Sequence, residues 1–96
     1  MTEREEVFPV PIEAQLDLHM FSPHDVQSVV VEYMRAAADA GLTEVRIIHG
    51  RGTGVQRGIV QSVLECNPSV STFWDAPESH LGATIVRIRR PSDVSV

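Results

Sequence analysis

The sequence predicts a small α/β domain, an α+β two-layer sandwich with a mixed four-stranded sheet and two helices on one face. Three observations predict it. The chain has 96 residues, enough for one core and no second. Four short stretches read as strands, the first and last by apolar–polar alternation, and two others repeat apolar residues at helical spacing. Their order is βαβαββ, and the first two connections are long enough for crossovers, which makes those strands parallel.

Residues 1–13 read as an N-terminal arm. Phe8-Pro9-Val10-Pro11-Ile12 carries two prolines, so it is extended or at best an edge strand. The first strand is Ala14-Gln15-Leu16-Asp17-Leu18-His19, with Leu16 and Leu18 alternating against Asp17 and His19. Ser22-Pro23 opens a helix, with Ser22 as N-cap, Pro23 in the first turn and Asp25 complementing the dipole. Val26, Val29, Val30, Tyr33, Met34 and Ala37 form its apolar stripe, and Gly41 stops it.

Glu44-Val45-Arg46-Ile47-Ile48-His49 is the second strand and runs into a glycine-rich loop. The second helix buries Ile59, Val60, Val63 and Leu64, and Asn67-Pro68 ends it. Gly58 inside that helix costs about 1 kcal/mol relative to alanine, which suggests close packing against the sheet. Cys66 reads as a small buried filler. Val70-Ser71-Thr72-Phe73-Trp74 is the third strand. In the fourth, residues 83–89, Thr84, Val86 and Ile88 alternate against Ile85, Arg87 and Arg89. Residues 91–96 read as a tail, which leaves 14–90 as the folded domain.

Composition narrows the function classes. With 43% hydrophobic and 22% charged residues the chain is neither disordered nor fibrous. One cysteine excludes an internal disulfide and a multi-thiolate zinc site. No apolar run nears the roughly 20 residues of a membrane span, and the acidic N-terminus is no secretory signal. The expected location is the cytoplasm, with no membrane partner.

The net charge of −5 argues at first against nucleic acid. Its distribution argues the other way. Residues 1–43 hold two arginines against eight carboxylates, whereas residues 44–90 hold six arginines against four. There is no lysine, so every cationic side chain is a planar guanidinium suited to phosphate. Arg51, Arg57, Arg87 and Arg89 are expected to form a phosphate-facing surface near the glycine loop.

Two polar motifs fall at the carboxyl ends of parallel strands, the edge where open α/β sheets bind ligands. Asp17 and His19 end the first strand; an aspartate beside a histidine orients the ring and favours its charged form. His49 ends the second, and His49-Gly50-Arg51-Gly52-Thr53-Gly54 leads into a helix N-terminus. Glycines let backbone N–H groups approach an anion there. The loop lacks the P-loop lysine and the dinucleotide-binding spacing.

Leu16-Asp17-Leu18-His19, the His49–Gly54 loop and Gly82-Ala83-Thr84-Ile85-Val86 together resemble the Smr (small MutS-related) domain over about residues 14–90, in the form of a short stand-alone protein. The resemblance implies a fold similar to the C-terminal domain of bacterial translation initiation factor three. It implies nucleic-acid binding, and in several members endonuclease activity on DNA or RNA, including messenger RNA on stalled ribosomes. By the same resemblance Asp17, His19 and His49 are the expected catalytic residues, and Gly50, Gly52, Gly82 and Ala83 belong to the binding motifs. Arg51, Thr53, Gly54 and Arg57 join them as expected phosphate contacts from the loop and helix. Two positions depart from the family pattern: Met20 replaces a glycine, and His80-Leu81-Gly82 lacks an earlier glycine pair.

The expected chemistry is acid–base catalysis without a cofactor. His49 or His19 takes a proton, Asp17 orients an imidazole, and arginine and loop N–H groups stabilise the phosphate. RNA is the easier substrate, because its 2′-hydroxyl is a nucleophile already in place. A one-metal site from Asp17, His19 and His49 is the alternative mechanism. A non-catalytic adaptor for nucleic acid or the ribosome, and a small-phosphoester binder, are the alternative functions. Oligomeric state stays open.

Overall fold

The computed structural model describes residues 12–50, 54–80 and 82–89. The elements are β1 (Gln15–Asp17), α1 (Pro23–Asp39), β2 (Glu44–Ile48), α2 (Val55–Glu65), β3 (Val70–Asp75), a 3-10 turn at Pro77–Ser79, and β4 (Ala83–Ile88). The four-stranded sheet has the order β1-β2-β4-β3. β1 and β2 pair in parallel, and β4 runs antiparallel to both β2 and β3. This is the mixed sheet that the element order predicts. Most of the arm, the tail, and Arg51, Gly52 and Thr53 of the loop lie outside the described residues.

Period-two alternation sorts each strand into two faces. Leu18, Val45, Ile47, Val70, Val86 and Ile88 face the helices. Val26, Val30, Met34 and Ala37 of α1 and Val60 and Leu64 of α2 cover them. Burying each such side chain stabilises the fold by roughly 1.5–3 kcal/mol. The register puts Gln15, Arg46, Ile85 and Trp74 in one row across the opposite face. No helix of the described residues is long and apolar enough to cross a membrane.

The ends of α1 follow from its flanking residues. Ser22 is extended at the N-cap, but its hydroxyl donates to the Asp25 side chain at 3.2 Å instead of accepting a backbone N–H. At the other end Gly41 takes φ +82°. Its N–H donates to the Ala38 carbonyl and that of Leu42 to the Ala37 carbonyl. That pair of bonds closes a Schellman stop, which needs the left-handed backbone glycine supplies. The Tyr33 hydroxyl donates to the Glu13 carbonyl at 2.5 Å and ties the entry of β1 to α1. Burial and the nearby Glu13 carboxylate raise that phenol to about 12.

Two sequence expectations are corrected. Cys66 is exposed, not a buried filler, because it caps α2 two residues beyond Leu64 and so points away from the core. Gly58 does not pack closely on the sheet: it is exposed, and a methyl group built there meets nothing within 4 Å. Its backbone is ordinary helix, so Gly58→Ala should stabilise the domain by about 1 kcal/mol. A thermal melt checks this, with a rise of roughly 4–8 °C expected for a domain of this size.

Candidate functional site

The parallel pairing of β1 and β2 brings their carboxyl ends to one edge, where the Leu18 N–H donates to the Ile48 carbonyl at 2.8 Å. β4 is antiparallel and therefore starts at that edge. The Gly82 carbonyl accepts the N–H groups of both His49 (3.1 Å) and Gly50 (2.9 Å). Gly50 sits at φ +80°, so the chain turns sharply out of β2. Asp75, opposite Thr84, ends β3 at the same edge. The second and third sequence motifs are thus joined through their backbones.

Gly82 and Ala83 are buried. Their N–H groups donate to the Ser79 hydroxyl oxygen at 3.2 and 3.1 Å. Ser79 itself donates to the Ala76 carbonyl at 2.7 Å. The third motif therefore spends these amides on holding its own turn. His80, one of the two departures, is exposed in a left-handed conformation at φ 53°.

Asp17 and His19 meet, though not as residues on one regular strand. β1 stops at Asp17, and the chain turns, with Phe21 N–H donating to the Leu18 carbonyl at 2.9 Å. One oxygen of Asp17, Oδ1, accepts both the backbone N–H of His19 (3.0 Å) and its Nδ1 (2.8 Å). These bonds hold the Asp17 carboxyl below the usual carboxylate range. The pair faces solvent, with side chains 47% (Asp17) and 69% (His19) exposed. An ionised acceptor on Nδ1 fixes the proton there and leaves Nε2 as the working nitrogen.

His49 is different. It alternates with Val45 and Ile47, so it lies on the helix-covered face and is 5% exposed. Asp17 shares the register and face of Ile48 instead. The three expected catalytic side chains therefore divide: Asp17 and His19 pair in the open, and His49 sits under the sheet's other face. Its Nδ1 bonds the Gly50 carbonyl at 3.1 Å and its Nε2 the Thr84 hydroxyl at 2.9 Å. A carbonyl only accepts, so Nδ1 carries the proton and neutral Nε2 accepts from Thr84. Burial lowers the His49 pKa, the Gly50 bond opposes this, and the Arg57 charge lowers it further.

Around His49 lies a network that sequence reasoning missed. Gln61 Nε2 donates to the Thr84 hydroxyl (3.3 Å) and to Asp75 Oδ1 (3.2 Å). Arg57 grips Asp75 through two bonds, Nε to Oδ1 at 2.8 Å and Nη2 to Oδ2 at 2.7 Å. That two-pronged contact lowers the Asp75 carboxyl and raises the Arg57 guanidinium. The signal was present: Thr84 shares the buried face of Val86, so its hydroxyl had to find a partner inside, and Asp75 shares the face of Phe73 beside it.

Of the expected arginine surface, Arg51 lies outside the described residues, and Arg87 and Arg89 do not join Arg57 near the loop. Arg87 lies four residues along β4 from Ala83, roughly 13 Å from the edge. There it pairs with Glu44 at 3.2 Å and stacks over Trp74 at 5.6 Å. Arg89 is farther along and donates to the Val70 carbonyl at 3.4 Å. Arg57 starts the helix beyond Gly54, near the loop, with two of its donors spent on Asp75. Among the described residues no three His, Cys, Asp or Glu side chains gather as metal ligands.

Comparison with known proteins agrees with this architecture. Residues 16–89 match the family model of the Smr domain. The chain is 35% identical over 80 residues to a protein of Caldicellulosiruptor bescii named endonuclease MutS2. The match covers 81% of this chain but only 10% of that relative. The crystal structure of the Smr domain of Thermus thermophilus MutS2 superposes with a TM-score of 0.74 at 30% identity, covering 78% of this chain and 96% of that one. YdaL, a stand-alone small MutS-related protein from Escherichia coli, gives 0.68 at 28% identity, covering 80% of this chain and 65% of that one.

The depressed pKa of His49 has a consequence for stability. The unfolded chain binds this proton more readily than the folded one, so falling pH draws the protein toward unfolding. The contribution of neutral His49 is whole above its ordinary value of 6.5 and is lost as pH falls through the lower, folded value. Asp17 and Asp75, depressed from 3.8, act in the same direction at lower pH. The melting temperature should therefore drop between pH 7.5 and pH 5, and less so in His49→Gln. A melting temperature that is flat across this range contradicts the assignment.

Proposed function

The chain belongs to the Smr domain family, and on that premise we propose that it binds nucleic acid along the β1–β2 edge and cleaves or nicks its phosphodiester backbone. The observation that carries the reading is the Asp17–His19 pair. It stands exposed at the edge where the family motifs meet, held by two bonds to one carboxylate oxygen. The geometry supports His19 Nε2 as the group that takes the proton from an attacking hydroxyl, with Asp17 steadying the ring. His49, buried and bonded at both nitrogens, is read as the anchor of the glycine loop and not as the proton carrier. Arg51 and the loop amides of Gly52, Thr53 and Gly54 are the donors this reading gives to the phosphate, the Gly50 N–H being held by the Gly82 carbonyl.

RNA suits this chemistry best. Its 2′-hydroxyl loses a proton to His19, attacks the adjacent phosphorus and expels the 5′-oxygen, which takes up a proton. The products carry a cyclic phosphate and a free 5′-hydroxyl. The name of the MutS2 relatives supports nuclease chemistry, although the chain spans about 10% of their length. A second reading, a docking module without catalysis, is favoured by the pairing of Arg46, Arg57 and Arg87 with Glu78, Asp75 and Glu44.

The test is incubation with structured RNA and with supercoiled plasmid, with and without chelator. RNA cleavage that survives chelator is expected. His19→Ala should lose on the order of 100-fold in rate, and Asp17→Asn should also slow cleavage. Binding should weaken steeply with salt. Full activity in His19→Ala, products ending in 5′-phosphate, or activity abolished by chelator and restored by Mn would overturn the mechanism. Salt-sensitive binding with no cleavage of either polymer would select the docking module.

A further inference from the structure

Thr84 lies on the helix-covered face of β4 at 0% exposure, in a row otherwise made of Val86 and Ile88. A hydroxyl there has one proton to give and must place it. Gln61 Nε2 carries only hydrogens and donates to the Thr84 oxygen at 3.3 Å. The Thr84 proton is then left for His49 Nε2 at 2.9 Å, and the ring in turn donates from Nδ1 to the Gly50 carbonyl at 3.1 Å. The order cannot be reversed: a ring protonated only at Nε2 would set the Nδ1 lone pair against that of the carbonyl.

The far end of the chain is equally determined. The second amide hydrogen of Gln61 goes to Asp75 Oδ1, and Asp75 is clamped by Arg57 one helical turn before Gln61. Donors therefore run one way, from α2 through β4 to His49 and Gly50 just beyond β2. The Gly50 N–H is meanwhile fixed on the Gly82 carbonyl at 2.9 Å. Both backbone groups of Gly50 are thus held, and its peptide planes set where the glycine loop leaves the sheet.

We infer that Thr84 and Gln61 are positioning residues, which fix His49 in its Nδ1–H form and through it aim the Gly50 carbonyl and the start of the glycine loop. Neither side chain touches a ligand in this scheme. Its link to phosphate handling rests on the function proposed above; the order of the hydrogen bonds does not.

Long-range proton–nitrogen spectra of the imidazole rings read the tautomer directly. Wild type and Thr84→Ser should show His49 as the Nδ1–H form alone. Thr84→Val keeps shape and loses the hydroxyl that holds Nε2, so the ring is free to turn off the Gly50 carbonyl and His49 should become a mixture with the Nε2–H form. Binding of a short single-stranded RNA should weaken on the order of tenfold, with recovery in Thr84→Ser. A Thr84→Val protein that keeps the single Nδ1–H form and wild-type RNA binding overturns the inference. If that variant does not fold, Gln61→Ala at its half-exposed helix position decides, with a smaller tautomer shift expected and an unchanged spectrum overturning. Should wild type bind no RNA, the proposed function fails while the tautomer spectra still judge the positioning role.

Discussion

Burying an imidazole at the end of a core strand sets the terms for everything around it. The alternation of β2 puts His49 in line with Val45 and Ile47, under the helices, where water cannot satisfy its nitrogens. Two partners must come from the protein. One is the neighbouring Gly50 carbonyl, which requires the chain to bend back at positive φ. The other is a hydroxyl on β4, which requires Thr84 in a row of aliphatic residues. Satisfying Thr84 draws in Gln61, and Gln61 shares Asp75 with Arg57. One buried ring thus ties the helix after the glycine loop to the strand before it.

On the proposed function the same edge serves two purposes on its two faces. Under the helices His49 and Thr84 are buried, and both ring nitrogens of His49 are bonded. On the exposed side β1 ends in a carboxylate and an imidazole with one nitrogen in use. Proton transfer needs a group that reaches solvent and substrate, and loop placement needs one that does not move. Charge is divided with similar economy. Arg46, Arg57 and Arg87 each stand against a carboxylate of the fold, so much of the positive balance in residues 44–90 is spent internally.

The layer order, both helices and all four strands were legible in the sequence, because the apolar stripes run the length of both helices and the first and last strands alternate with period two, although β3 shifts register between Val70 and Thr72. The edge itself was legible too, since Asp17, His19, His49 and Gly82 fall at strand ends. What was not legible was which face each side chain takes at that edge. Asp17 and His49 look alike as polar residues closing strands, yet only His49 continues an apolar row. Neither Asp75 nor Thr84 was marked as a site residue, because each is one polar residue at the end of an apolar row, and their partner Gln61 comes from α2, distant in sequence from both. Cys66 and Gly58 were misread for a related reason. Helical spacing names the buried stripe but does not show where the helix ends or how closely it rides on the sheet.

On the proposed function the β1–β2 edge is the nucleic-acid surface. Amide chemical-shift mapping during titration with a short single-stranded RNA tests it most directly. Perturbations are expected at Asp17, Leu18, His19 and Met20, at Gly50 and Gly54, and at Gly82 where β4 begins. Perturbations confined to the groove between α1 and α2, around Val31, Val55 and Val63, or to Trp74 and Arg87 with the edge silent, would contradict it.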